Sequence, residues 1–143
     1  MDEKNESMVV LPSDEKAPGT ARRMVGEAFA RWGLDSDMAR LVTSELVTNA
    51  YLHAKGTHMI VVRTWLRDDG HAVIEVWDSS EVLPERGAAD YVGESGRGLF
   101  MVEQMTRAWG ARRLSDGTGK IVWAALQSPR QPATAHSAEG MSA

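Results

Sequence analysis

The chain contains no cysteine, which excludes disulfides, thiolate metal sites and a cysteine nucleophile. Aromatic residues make up only 6%, and no run of about 18 apolar residues occurs anywhere, so no transmembrane helix is expected. An excess of positive charge is also lacking: 16 Lys+Arg stand against 20 Asp+Glu, a formal net charge of -4. Such a balance gathers no nucleic acid, and the basic pair Arg112-Arg113 is too short for a binding stripe. The start, MDEKNESMVVLPSDEK, is acidic where an export signal needs a basic start and an apolar run, so a cytoplasmic location is expected, with no membrane partner. What is present is the profile of a globular domain: 43% hydrophobic and 25% charged residues over 143 positions, enough for one core. Residues 1–7 are polar, and residues 128–143, SPRQPATAHSAEGMSA, have few large apolar side chains; both are expected to be disordered ends around one domain, 8–127.

Hydrophobic periodicity supplies the elements. Met8 to Leu11 reads as a short strand stopped by Pro12. Ala21, Val25, Ala28, Phe29 and Trp32 recur at helical spacing over Ala17 to Trp32, with Gly33 as terminator. Asp35 or Ser36 can cap a second helix reaching His53, on which Met38, Leu41, Val42, Glu45, Leu46, Asn49 and Leu52 share a broad face. HMIVVRTWL, the turn Asp68-Asp69-Gly70 and AVIEVW predict a hairpin; Trp109 to Leu114, a turn around Asp116-Gly117 and KIVWAAL predict another. A helix from about Gly98 to Met105 separates them. Helices first and hairpins after give an α+β two-layer sandwich, with helices on one face of a mixed, mainly antiparallel sheet. Trp65, Trp77, Trp109 and Trp123 fall on strands, and most are expected in the core. The four histidines show no metal-ligand spacing.

Three clusters carry candidate chemistry. In SELVTNA, Glu45 and Asn49 lie four apart and stack on one helix face that otherwise reads as core. Buried polar groups need partners or a ligand. An Asn carbonyl suits a hard cation, and a carboxylate one turn earlier can orient or deprotonate a hydroxyl; equally, Asn49 can cap local backbone and Glu45 can sit on the solvent rim. In VWDSS, Asp78 closes a strand, either to cap a turn or to accept hydrogen bonds from an exocyclic amino group. In GESGRGLFMV, glycines precede an apolar helix, a junction that is either a plain turn or a phosphate cradle at a helix N-terminus.

In order and spacing these clusters resemble the N, G1 and G2 boxes of the GHKL ATP-binding superfamily, and more closely the single-domain, serine-kinase-type anti-sigma factors. SELVTNAYLHA stands at the E-L-x-x-N-A helix, VWDSS at the adenine box and ESGRGLFMVE at the glycine box, within a span from Pro12 to Leu126. The resemblance implies a Bergerat-type ATP-binding fold with ATP and Mg2+ as cofactors. It assigns Glu45 as catalytic base, Asn49 as the magnesium ligand, Asp78 as adenine acceptor, and Gly96, Arg97, Gly98 and Leu99 as the phosphate-side loop, with Ala88 to Glu94 as lid. It further implies a serine/threonine protein kinase that phosphorylates an anti-sigma factor antagonist and sequesters a sigma factor, as a homodimer. A nucleotide-binding partner switch without phosphoryl transfer is the alternative. Two departures stand out: Ser80 replaces the glycine of Asp-x-Gly, and Ile121 stands where relatives carry a threonine before Val-Trp.

Overall fold

In a computed structural model, the described residues are 5–53, 58–83 and 98–126. The elements run β1 (Glu6–Pro12), α1 (Ala17–Arg31), α2 (Asp37–His53), β2 (Met59–Leu66), β3 (Ala72–Asp78), α3 (Gly98–Met105), β4 (Thr106–Arg113) and β5 (Lys120–Leu126). The strands form one five-stranded sheet in the order β1-β2-β3-β5-β4, and every pairing is antiparallel. This is the expected α+β sandwich, with an antiparallel sheet. Both anticipated hairpins are present, and β5 lies between β4 and β3, so the second hairpin docks on the first through its later strand. β1 begins at Glu6, two residues inside the segment expected to be disordered, because its ladder with β2 extends to Glu6 opposite Trp65 and the Glu6 carboxylate pairs with Arg63. The tail 128–143 lies outside the described residues. Among the described residues no helix is long and apolar enough to cross a membrane.

α1 places proline in its first turn, where the missing N–H has no intrahelical acceptor to lose. It ends where Gly33 turns to a positive φ of 72°. Its buried stripe, Ala17, Ala21, Val25, Ala28 and Phe29, faces α2 and the sheet. The second-helix face differs from the sequence expectation. Ala39, Val42, Thr43, Leu46, Val47 and Ala50 are buried, while Met38 and Leu41 are exposed. The buried arc is centred between Ala39 and Ala50, with Glu45 and Asn49 along one margin. Arg22 Nη1 donates to Ser44 Oγ at 2.8 Å across the two helices.

The sheet turns Leu11, Ile60, Val62, Ile74, Val76, Val122, Ala124 and Leu126 toward the helices. Strand alternation then sends Trp65, Trp77 and Trp123 to the opposite face, where they are half-buried, contrary to the expectation of a tryptophan core. Trp109 alone of these four packs against the core. On the outer face the Arg63 guanidinium lies 4.2 Å from the Trp65 ring centroid, and Arg63 also bridges Glu6 and Glu75.

Candidate functional site

α2 carries the first half of the site. Asn49 is 4% exposed, and neither its Oδ1 nor its Nδ2 has a hydrogen-bond partner among the described residues. A buried carboxamide with both ends unmet costs roughly 1–3 kcal/mol per group, which makes Asn49 a candidate for contact with a ligand. The other buried hydroxyls nearby behave differently: Thr43 donates to the Ala39 carbonyl at 2.8 Å and Thr64 to the Val73 carbonyl at 2.9 Å. One turn before Asn49, Glu45 is half-buried, and desolvation raises its pKa above the ordinary glutamate value. A carboxylate shifted upward is a better proton acceptor near neutral pH than a fully solvated one.

The end of β3 carries the second half. Asp78 and Lys120 face each other in the β3–β5 register, both on the helix side of the sheet. Lys120 Nζ lies 2.8 Å from Asp78 Oδ1 and 2.9 Å from Oδ2, and each side chain is 1% exposed. The Ser80 backbone N–H donates to Asp78 Oδ1 at 2.9 Å, and Ser80 Oγ accepts from the Val82 N–H at 3.1 Å. The first bond is made by the backbone and needs no side chain; what serine adds over glycine is the Oγ acceptor for the Val82 N–H. Gly119 sets the approach of β5: a Cβ there would stand 2.1 Å from the Asp78 carbonyl oxygen, and its φ is 134°. Only glycine lets the first residue of β5 press so close to the last of β3.

A threonine at position 121, where this chain has isoleucine, would not face Asp78. Ile121 pairs with Trp77 and lies on the outer face, whereas Lys120 is the β5 residue opposite the carboxylate. Sequence reasoning passed over Lys120. Its signal was the inward alternation of Val122, Ala124 and Leu126, which puts Lys120 inward as well, but its meaning depends on β3 being the neighbour of β5.

The structure thus places Asn49 and Glu45 on one margin of α2, and Asp78 at the end of a strand that α2 packs against. Gly98 and Leu99 open α3, which also packs against α2, consistent with a helix start beside Asn49's helix. Gly96, Arg97 and the lid Ala88 to Glu94 lie outside the described residues. Among the described residues no group of three or more His, Asp or Glu is arranged to hold a metal by itself. The residues fit a magnesium nucleotide at one end and not at the other. The orphaned Asn49 amide suits a metal–phosphate group, whereas the Asp78 carboxylate is already engaged by an ammonium.

Among solved structures, the chain resembles the RsbU and RsbW domains of Rv1364c from Mycobacterium tuberculosis, with 21% identity, a TM-score of 0.58, and coverage of 87% of this chain and 33% of that one. It also resembles the histidine kinase domain of the Erythrobacter litoralis EL346 blue-light activated histidine kinase, with 17% identity, a TM-score of 0.49, and coverage of 82% and 61%. The chain therefore spans about a third of the length of the mycobacterial structure. No curated protein matches it by sequence. The family model for the histidine kinase-like ATPase domain matches residues 11–126, which takes in α2, the Asp78 strand and the glycine-rich junction, and the chain belongs to that ATP-binding family.

Proposed function

We propose that this domain is an anti-sigma-type regulator that binds ATP with Mg2+ and phosphorylates a serine or threonine on a small antagonist protein, while holding a sigma factor when the antagonist is absent. The observation that supports this most is Asn49, a buried amide with no partner among the described residues, one turn beyond a half-buried Glu45. When bound, magnesium and ATP supply the transferable phosphoryl group and neutralise its charge. Asn49 Oδ1 is the side-chain oxygen for the metal, and Glu45 takes the proton from the antagonist hydroxyl. The raised pKa of Glu45 suits that role. Gly96, Arg97, Gly98 and Leu99 form the phosphate side in this reading, with Arg97 as the fixed charge. The RsbW domain named in the mycobacterial structure supports this class of regulator.

The homodimer belongs to the same proposal. β1 is an edge strand, and Met8 and Val10 on it are 57% and 51% exposed, an apolar strip suited to a second copy. A second reading, a nucleotide-holding partner switch without transfer, is favoured by one observation: the carboxylate assigned to adenine is bound to Lys120.

Incubation with radiolabelled ATP, magnesium and candidate antagonist proteins separates the two. Phosphorylated antagonist that falls by about 10²–10⁴-fold in Glu45→Ala supports the kinase. Partner binding with no labelled product over hours supports the switch, and transfer undiminished in Glu45→Ala removes Glu45 as the base.

A further inference from the structure

The pair Lys120–Asp78 is more than a structural ion pair in an awkward place. A carboxylate offers about four lone-pair positions. Lys120 Nζ takes one on each oxygen, and the Ser80 N–H takes a third on Oδ1. The remaining position is sealed, since both side chains are 1% exposed. An exocyclic amino group on a base and a lysine ammonium are the same kind of ligand to a carboxylate, namely N–H donors at about 2.9 Å, and the ammonium adds a full charge.

We propose that Lys120 is an internal occupant of the base-recognition position, so that this domain grips nucleotides by the phosphate and metal end and is nearly indifferent to the exocyclic amine of the base. The inference rests on the nucleotide-binding reading and adds a specificity-determining residue to it. Three features hold the occupant in place. Register puts Lys120 directly opposite Asp78, Gly119 allows the close approach of the strands, and burial shields the pair from competing water. An incoming adenine amine must displace a charged donor with a neutral one, which is unfavourable in a buried site. Asn49, on α2, carries no such internal occupant among the described residues. The two ends of the site thus differ in kind: both are buried, but the Asn49 amide has no partner among the described residues, whereas the Asp78 carboxylate is partnered by the chain itself.

Calorimetric titration of the full chain with the magnesium complexes of ATP, GTP and purine riboside triphosphate, which lacks the exocyclic amine, reads this directly. In the wild-type protein the three dissociation constants are expected to agree within about threefold. In Lys120→Thr, which removes the ammonium, ATP is expected to bind about tenfold or more tighter than purine riboside triphosphate, the worth of a restored hydrogen bond to a carboxylate. Lys120→Arg, whose guanidinium also holds both oxygens, is expected to keep the wild-type indifference. Wild-type selectivity of tenfold or more for ATP over purine riboside triphosphate overturns the proposal, as does a folded Lys120→Thr variant, checked by circular dichroism, with unchanged selectivity. The wild-type comparison needs no variant and decides the matter if Lys120→Thr does not fold. Absence of binding by any of the three triphosphates to wild type and variants alike overturns the nucleotide reading itself, and this inference with it.

Discussion

Replacing Lys120 with methionine removes a charge while keeping most of the volume, and its effect on stability can be worked from the geometry. The wild-type carboxylate of Asp78 is held at 2.8 and 2.9 Å by the ammonium, with both side chains 1% exposed, so solvent cannot take over when the ammonium is removed. One hydrogen bond from the Ser80 N–H remains. Breaking a buried ion pair by deleting one partner costs about 3–5 kcal/mol, most of it the penalty of an uncompensated charge. Against a typical domain stability of about 5–15 kcal/mol, that is a loss of a third or more of the margin in most cases. Asp78→Asn alone is expected to cost a similar amount, since it strands the ammonium. The double variant Asp78→Asn with Lys120→Met removes both charges and keeps an acceptor for the Ser80 N–H, so it is expected to recover to within about 1–2 kcal/mol of wild type. Urea unfolding at 25 °C, followed by circular dichroism with a common slope across the four proteins, measures the cycle. A Lys120→Met loss below about 1 kcal/mol, or a double variant whose loss equals the sum of the single losses, refutes the view that these two groups form one buried electrostatic unit.

The remaining predictions concern α2. Asn49→Leu is expected to stabilise the unliganded domain by about 1–3 kcal/mol in urea unfolding, because it removes two unmet polar atoms, while weakening magnesium–ATP binding at least about tenfold in calorimetry; a destabilised variant with unchanged nucleotide affinity refutes the role given to Asn49. Burial raises the Glu45 pKa in the folded state, so the folded chain holds this proton more tightly than the unfolded chain does. Its contribution is therefore fully favourable below about pH 4.3 and is lost as pH rises through the folded value. Glu45→Gln is accordingly expected to be more stable than wild type near pH 7 by less than about 1 kcal/mol, since the group is half-exposed and screened, with the difference vanishing toward pH 4; thermal melts at both pH values check the sign.

How much of this was legible in the residues differs from element to element. The hairpins follow from β-branched runs flanking Asp68-Asp69-Gly70 and the Asp116-Gly117 turn, because register and turn chemistry are local. Glu45 and Asn49 could be placed on one helix row by spacing alone, since the helical repeat makes residues four apart neighbours. The rotation of α2 could not: Met38 and Leu41 are more hydrophobic than Ala39 and Ala50, yet Ala39 and Ala50 are the buried ones, because the packing of the helix in the fold and not side-chain hydrophobicity sets which face turns inward. The tryptophans were misplaced for a similar reason, as size suggests burial but strand alternation decides which face Trp65, Trp77 and Trp123 occupy.

Short-range periodicity and ordered motifs carry the identity of the elements, the two-layer class, the row bearing Glu45 and Asn49, and the likeness to an ATP-binding family. Long-range packing sets the register in which β5 lies against β3 and joins Lys120 to Asp78, and leaves Asn49 without a partner among the described residues. The physical reason is that a hydrogen bond between residues 42 positions apart is set by how strands are ordered across a sheet and how closely a glycine lets them meet, and neither quantity is written in any local stretch of the chain.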